Sequence, residues 1–233
     1  MLADLKKILL VLFVLIVAGL SSFAQGGYTR SDLWDKEIDA FIQGDKTNFP
    51  KPSGILFVGG SSIRMWKTLA EDFPGYATTN RGFGGAQMDD VDHYVPQIVI
   101  PYKPKLIVLY AGDNDIAGGR TPEQVVGDFK IFVSLVHKDL PKTRIIFISL
   151  KPSPSRWSMA AQYRTANQLI KAETERSKYL LFVDVWSVML GPDGKPKSDI
   201  FQDDRLHMNA KGYEIWRQTL LPSVKRGAKK TFR

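Results

Sequence analysis

Four side chains of this sequence are of the types, and lie in the contexts, that nucleophilic acyl chemistry requires. Ser61 follows two glycines and is a candidate nucleophile. His207 could accept the serine proton, and Asp204, three residues before it, could hold the imidazole in one tautomer. Asn114 lies in a Gly-Asp-Asn-Asp run, where its amide could donate to a developing oxyanion. Together these residues predict a nucleophile, a base with its orienting carboxylate, and an oxyanion donor.

Each of these segments also fits an ordinary structural use. A serine after glycines is a common helix N-cap, and Ser62 is a competing candidate for the nucleophile. The Gly-Asp-Asn-Asp run is typical of an Asx turn. A second Asp-x-x-His pair, Asp90 and His93, has the same spacing, but it falls on the predicted exposed stripe of a helix. The coincidence of several such segments, rather than any one of them, favours catalysis.

A glycine-rich segment, Asn80–Ala86, has three glycines in four residues, which lets the backbone approach a ligand closely. It is not a dinucleotide fingerprint, because no third glycine follows Gly82-x-Gly84 at the required spacing. The segment around Ser61 is not a Walker loop, since no Gly-Lys-Ser/Thr follows. It also lacks the second glycine of a Gly-x-Ser-x-Gly elbow, because Ile63 stands there.

Five short runs rich in apolar residues are predicted to be strands that carry these residues at their carboxyl ends. Four of them show little polar alternation, as strands buried on both faces do, whereas Tyr76–Asn80 is more polar and is predicted to be an edge strand. Helical patterns fill the gaps, one of them starting at the N-cap candidate Thr121, and this alternation predicts a parallel α/β sheet. The segments that follow the strands then collect at one edge of the sheet, where ligands bind in such folds. The predicted strands are Ile55–Gly59, Tyr76–Asn80, Leu106–Ala111, Arg144–Leu150 and Tyr179–Val185, and the other predicted helices are Ser31–Gln43, Trp157–Lys178 and Asn209–Val224.

Composition excludes several classes of protein. The chain has 233 residues, of which 44% are hydrophobic and 24% charged, which is ordinary for one globular domain. There is no cysteine, so disulfides, a thiolate zinc site and a cysteine nucleophile are excluded. The net charge of +8 is not accompanied by a nucleic-acid-binding motif, so no nucleic-acid partner is predicted.

The two ends of the chain differ from the rest. Lys6 and Lys7 precede the uncharged run Ile8–Leu20, and small residues flank a cleavage site between Ala24 and Gln25. This layout predicts a signal peptide at residues 1–24, an uncleaved anchor being the alternative, and a single mature domain at residues 25–233. The protein is therefore expected to be secreted or periplasmic, without stable membrane insertion after cleavage. Residues 225–233 are predicted to be a basic, solvated tail.

The segments described above resemble the SGNH hydrolases, also called the GDSL esterase/lipase superfamily. The resemblance runs from Gly54 to Pro222 and is close in style to members similar to platelet-activating-factor acetylhydrolase subunits. Gly60 stands where the family has an aspartate before the nucleophile, and Ala86 replaces a frequent aspartate, so both departures affect loop geometry. The matching blocks are Gly59-Gly60-Ser61-Ser62, Asn80-Arg81-Gly82-Phe83-Gly84-Gly85, Gly112-Asp113-Asn114-Asp115 and Asp204-x-x-His207.

The resemblance implies an α/β fold, specifically a three-layer α/β/α sandwich with a five-stranded parallel, flavodoxin-like sheet. It also implies a serine esterase in which Ser61 attacks an ester carbonyl, His207 is the base and Asp204 orients it. The N–H groups of Ser61 and Gly85 and the side chain of Asn114 would form the oxyanion hole. No metal or organic cofactor is implied.

The substrate is less well defined by the sequence. Secretion without a cofactor suggests hydrolysis of short-chain, mainly acetyl, esters of a small molecule or a carbohydrate. Arg64, Phe83 and Trp157, with Trp66, are candidates for the rim of the site, although the two tryptophans fit the core equally well. Acyl transfer to a sugar would use the same residues, and a catalytically weak binding module on this fold is the alternative from another class.

Overall fold

A five-stranded, all-parallel sheet forms the centre of the computed structural model, which describes residues 33–228. The strands lie in the spatial order β2-β1-β3-β4-β5, with helices on both faces. This arrangement confirms the predicted three-layer α/β fold and its flavodoxin-like sheet. The predicted signal peptide lies outside the described residues. The strands are β1 (Ile55–Gly59), β2 (Thr78–Gly82), β3 (Leu106–Tyr110), β4 (Arg144–Ile148) and β5 (Leu180–Val183).

Eight α-helices in the described part of the chain connect and cover these strands. The predicted Thr121 cap is confirmed, because its side chain accepts from the N–H of Gln124 and Pro122 takes the first helical position. Within residues 33–228, no helix is both long and apolar enough to cross a membrane. The helices are α1 (Asp35–Thr47), α2 (Ser61–Arg64), α3 (Leu69–Asp72), α4 (Met88–Ile98), α5 (Asp113–Ala117), α6 (Pro122–Asp139), α7 (Ala160–Thr174) and α8 (Ala210–Ala228).

Alternate residues of each strand face two separate apolar cores. Leu56 and Val58 of β1 join the core under α1, α4, α6 and α7, whereas Ile55 and Phe57 join the core under α2, α3 and α8. Both faces of each central strand are therefore buried, which explains why their sequences show no polar alternation. Trp66 belongs to the second core and is only 1% exposed.

Strand β2 is an edge strand, as predicted, but it begins and ends two residues later than the sequence pattern indicated. Its parallel register pairs Gly82 with Gly59, so the residues from Asn80 to Gly82 belong to the strand and not to the loop that follows it. A Cβ atom at Gly82 would lie 2.3 Å from the backbone nitrogen of Arg64, so this glycine serves close packing against α2.

The last helix is longer than the sequence pattern indicated. α8 ends at Ala228, and Gly227 packs against the side chain of Leu106 in β3. Lys225 and Arg226 are exposed, as predicted, but they belong to the helix. The prediction of a solvated tail is wrong for Gly227 and Ala228, which are buried. Residues 229–233 lie outside the described residues.

Gly59 ends β1 in a conformation that only glycine adopts readily. Its φ is +138°, and a Cβ atom there would lie 1.9 Å from the carbonyl oxygen of Tyr110. We expect Gly59→Ala to lower the free energy of unfolding by at least about 2 kcal/mol, measured by denaturant titration. Gly44 is the matched control, because it lies exposed in α1 and a methyl group at its Cα would have no neighbouring atom within 4 Å. Gly44→Ala should be neutral or stabilise by about 0.5–1 kcal/mol, and a Gly59→Ala variant as stable as that one would contradict the argument.

Candidate active site

Ser61 follows the carboxyl end of β1, an interior strand of the sheet. After Gly59 the chain turns through Gly60, and Ser61 is the first residue of α2. The Oγ atom of Ser61 lies 2.9 Å from Nε2 of His207. Ser62, the competing candidate, is 2% exposed, and among the described residues its hydroxyl has no hydrogen-bond partner. The geometry therefore brings Ser61, and not Ser62, to the imidazole.

His207 and Asp204 lie on the loop that precedes α8. Nδ1 of His207 is 2.5 Å from Oδ2 of Asp204, and the other carboxylate oxygen accepts the backbone N–H groups of Leu206 and His207, each at 2.9 Å. Partial burial acts to raise the pKa of Asp204, but these hydrogen bonds outweigh it and lower the pKa to about 2. Asp204 is thus held as a carboxylate that fixes the orientation of the imidazole.

The short helix α5, which follows β3, and the glycine-rich loop after β2 meet beside Ser61. Nδ2 of Asn114 in α5 donates to the carbonyl oxygen of Ala86 at 3.0 Å. A Cβ atom built on Gly60 would lie 3.4 Å from both of these atoms, so the amide is adjacent to the serine turn. Gly85 is exposed and has a φ of +74°, a conformation that suits glycine. The two predicted amide donors therefore lie on segments that contact each other beside the nucleophile.

The predicted rim residues are only partly where the sequence indicated. Phe83 is 0% exposed, so the prediction that it lines the rim is wrong. Trp66 is buried in the second core, which was the alternative position for this residue. Both face inward because the segments that carry them pack against a core of aromatic rings. Arg64 is exposed but bonded to Glu37 of α1 at 3.2 Å. Trp157 is half-buried, with its ring stacked on Trp186 at 5.9 Å, and keeps an accessible part.

A buried ionic cluster behind Asn114 was not predicted. Asp113 lies 3.3 Å from Nζ of Lys151 and accepts the Tyr110 hydroxyl at 2.9 Å. Lys151 is 1% exposed, and Nη1 of Arg156 lies 3.5 Å from the same carboxylate oxygen. Burial acts to raise the pKa of Asp113, but the two cations hold it below its ordinary value. A lysine directly after an apolar strand was the available signal in the sequence, since such a residue is rarely buried without a partner.

Helix α1 also contacts the glycine-rich loop, which no spacing rule could have indicated. Nε1 of Trp34, just before α1, donates to the carbonyl oxygen of Gly84 at 2.6 Å, and Glu37 accepts the N–H of Gly84 at 3.0 Å. Asp35 accepts the hydroxyl of Tyr94 at 2.6 Å, which ties the same end of the helix to α4.

The remaining histidine pair is placed as the sequence indicated. His93 is exposed on α4, and Asp90 caps the same helix by accepting the N–H of Gln87 at 2.9 Å. Within residues 33–228, no group of three or more His, Asp or Glu side chains is arranged to hold a metal ion.

Comparison with known proteins gives a family and several structural likenesses. A family model described as the GDSL-like Lipase/Acylhydrolase family matches residues 53–215. The platelet-activating factor acetylhydrolase IB subunit alpha1 of Bos taurus is 26% identical over 192 residues, which cover 77% of each chain.

Two solved structures have the same fold at low sequence identity. A GDSL-like lipase from Bacteroides thetaiotaomicron superimposes with a TM-score of 0.65 at 22% identity, over 83% of this chain and 96% of that chain. A mutant of an acetyl-xylooligosaccharide esterase from Geobacillus superimposes with a TM-score of 0.60 at 17% identity, over 78% of this chain and 97% of that chain.

Proposed function

The chain belongs to the GDSL-like lipase/acylhydrolase family and is a carboxylic ester hydrolase, and we propose that it cleaves short-chain esters through a triad of Ser61, His207 and Asp204. One observation carries this proposal: the unbroken relay from Ser61 Oγ to His207 Nε2 at 2.9 Å and from His207 Nδ1 to Asp204. A serine is a weak nucleophile until an adjacent base accepts its proton, and this relay supplies that base.

The reaction proceeds in two halves on these groups. Ser61 Oγ attacks the ester carbonyl carbon while its proton passes to Nε2 of His207, and Asp204 stabilises the imidazolium. The C–O bond to the alcohol then breaks, and His207 returns the proton to the leaving oxygen. In the second half a water attacks the acyl-serine, His207 takes the proton of that water, and the acid leaves as the proton returns to Ser61.

The oxyanion formed in each half needs donors that are in place beforehand. We assign these to the backbone N–H groups of Ser61 and Gly85 and to Nδ2 of Asn114, which lie on the loops that meet at Gly60. Removal of one such donor typically lowers kcat by about 10²–10³-fold, so the three together account for much of the rate enhancement.

The environment of Asn114 supports a short acyl group. Behind this residue lie the charged groups of Asp113, Lys151 and Arg156 rather than an apolar channel. A long acyl chain could enter that region only by displacing ions that are already buried and paired with one another, which is unfavourable. The likeness to an acetyl-xylooligosaccharide esterase agrees with an acetyl substituent.

A carbohydrate ester is the substrate class we favour, and a location outside the cytoplasm fits it. The accessible part of Trp157 offers an aromatic surface, and aromatic rings pack well against the apolar faces of sugar rings. The charge and hydropathy pattern of residues 1–24 supports export of the protein.

The proposal is tested with a graded series of esters. We expect kcat/KM to fall at least about tenfold from p-nitrophenyl acetate to the octanoate, because the longer chain would meet the buried ions behind Asn114. Acetylated xylo-oligosaccharides should release acetate, and the unacetylated oligosaccharide is the control. Preference for the octanoate would overturn the short-chain assignment, and hydrolysis of p-nitrophenyl acetate without release of acetate from the sugar would overturn the carbohydrate assignment.

A further inference from the structure

We propose that Arg156 and Trp34 are positioning residues for the oxyanion hole, each acting through the carbonyl oxygen of a donor amide. This inference rests on the proposed function, since it takes Asn114 and Gly85 as the amide donors. It concerns two residues that neither contact Ser61 nor belong to the triad, and one of them, Trp34, precedes the region matched by the family model.

Arg156 holds the side-chain amide of Asn114. Its Nη2 donates to Oδ1 of Asn114 at 2.9 Å, while Nδ2 of the same amide donates to Ala86 at 3.0 Å. An amide nitrogen has two hydrogens, so one hydrogen of Nδ2 remains for the oxyanion. With Oδ1 and one N–H both bonded, rotation about the last side-chain torsion is blocked, and the free N–H keeps one direction.

The guanidinium of Arg156 is itself held by its surroundings. Only 17% of the side chain is exposed, and Nη1 lies 3.5 Å from Asp113, whose charge requires a cation. Its turn is tied to the loop of His207, because the N–H of Ser155 donates to the carbonyl oxygen of Arg205 at 3.1 Å. Arg156 thus connects the ionic cluster, the oxyanion amide and the loop of the base.

Trp34 holds the backbone amide of Gly85 in the same manner. The carbonyl of Gly84 and the N–H of Gly85 belong to one peptide group, and the indole N–H of Trp34 donates to that carbonyl oxygen at 2.6 Å. Glu37 accepts the N–H of Gly84 at 3.0 Å, so the peptide groups on both sides of the Gly84 Cα are anchored to α1. Because Gly85 is a flexible residue with a φ of +74°, its peptide plane would otherwise be free to rotate.

Both contacts act on the donor in two ways. They fix the direction of the N–H, which preorganises the site before charge develops. A hydrogen bond accepted at the oxygen of an amide also polarises that amide and strengthens the bond its N–H donates. Both effects are largest when the oxyanion carries a full charge, so they should appear in kcat more than in KM.

The test for Arg156 is a double-mutant cycle with Asn114. Arg156→Lys keeps the positive charge beside Asp113 but loses the planar guanidinium, which can bond Asn114 and Asp113 at the same time. We expect this variant to lower kcat about 10–50-fold with KM nearly unchanged. In the Asn114→Ala background the same substitution should change kcat by less than about twofold, since there is no amide left to position. An equal loss of rate in both backgrounds would overturn the proposal for Arg156, as would an effect confined to KM, which would indicate direct substrate binding.

The test for Trp34 uses a phenylalanine at this position. Trp34→Phe keeps an aromatic ring beside Phe83 but removes the indole N–H. We expect a fall in kcat of about tenfold with KM nearly unchanged. Asp35→Asn is the matched control, because it weakens the attachment of the same helix to Tyr94 without touching Gly84. If the two variants lower kcat equally, the tryptophan only anchors the helix, and the proposal for Trp34 is overturned.

Covalent labelling separates this inference from the proposed function. An alkyl fluorophosphonate is attacked by a reactive serine, fluoride leaves, and the phosphonyl oxygen takes the oxyanion position. We expect Arg156→Lys to slow the labelling of Ser61, and we expect the same substitution to cause no further slowing in the Asn114→Ala background. This result would support the inference even if none of the tested esters is a substrate of the enzyme. Labelling at the same rate in all variants overturns the inference alone, whereas absence of any labelling of Ser61 overturns the proposed function and the inference with it.

Discussion

Ser61→Ala is expected to lower kcat for p-nitrophenyl acetate by about 10⁴-fold or more, because it removes the atom that forms the acyl-enzyme. The hydroxyl lies 2.9 Å from the imidazole, on a half-buried residue at the end of β1, so its loss should leave the fold intact. The loss of activity is measured as kcat in steady-state hydrolysis. The intact fold is checked by comparing the denaturant midpoint of unfolding of the variant with that of the wild type.

Ser62→Ala is the matched control for this experiment. Ser62 is the next residue in the same helix, but its side chain is buried and makes no hydrogen bond to His207. The hydroxyl of Tyr213 donates to its backbone carbonyl oxygen at 3.0 Å. We expect Ser62→Ala to change kcat by less than about threefold, since a buried serine outside the site contributes mainly to packing. A loss of activity in Ser62→Ala with Ser61→Ala still active would move the nucleophile to Ser62.

Asp204→Asn is expected to lower kcat by about 10⁴-fold at pH 7, because an amide at this position favours the wrong tautomer of His207. The carboxylate accepts from Nδ1, which leaves Nε2 free to take the proton of Ser61. An asparagine could donate to Nδ1 instead and so place the ring proton on Nε2, where it would block catalysis. The measurement is kcat from pH 5 to pH 9.

The same carboxylate gives a dependence of stability on pH. The pKa of Asp204 is about 2 in the folded protein, below its ordinary value of 3.8, so its ionised form stabilises the fold. That contribution is fully present above about pH 4 and is lost as the pH falls through about 2. The difference in unfolding free energy between wild type and Asp204→Asn should therefore be constant at neutral pH and shrink at strongly acidic pH.

Asp203→Asn is the control for both measurements. Asp203 is the neighbouring carboxylate, exposed on the same loop. We expect its amide variant to keep both the wild-type activity and the wild-type pH dependence. A variant Asp204→Asn that retained more than about a tenth of the activity would contradict the assigned role, because orientation by a triad carboxylate is worth far more than that.

The fold and the enzyme class were predictable because both depend on local patterns. Buried strands appear in the sequence as apolar runs, and their parallel direction followed from the helices between them, so the sheet edge that gathers Ser61, Asn114 and His207 could be inferred. The resemblance to the GDSL family and the esterase class are confirmed by the family model.

What the sequence did not indicate depends on contacts between distant segments. Phe83 was predicted at the rim of the site, but its ring packs against Tyr94 and lies in the core. Lys151 and Arg156 were not singled out, because their partner Asp113 lies 38 residues from Lys151 in the chain. Trp34 and Gly84 are separated by 50 residues, and no periodicity or motif links them.

The attachment of α1 has a consequence for how the protein would lose activity under stress. This helix lies at the beginning of the described chain. It is held by polar contacts to the glycine-rich loop and α4, by the burial of Ile38 and by the ion pair between Asp45 and Arg81, but detaching it would expose less surface than unfolding the sheet. Partial opening of this kind has a lower free energy than global unfolding. The enzyme would then be inactivated by heat or denaturant while most of its backbone remained native. The highest temperature at which the enzyme works would then depend on the attachment of α1, and strengthening that attachment would raise it without any change to the central sheet.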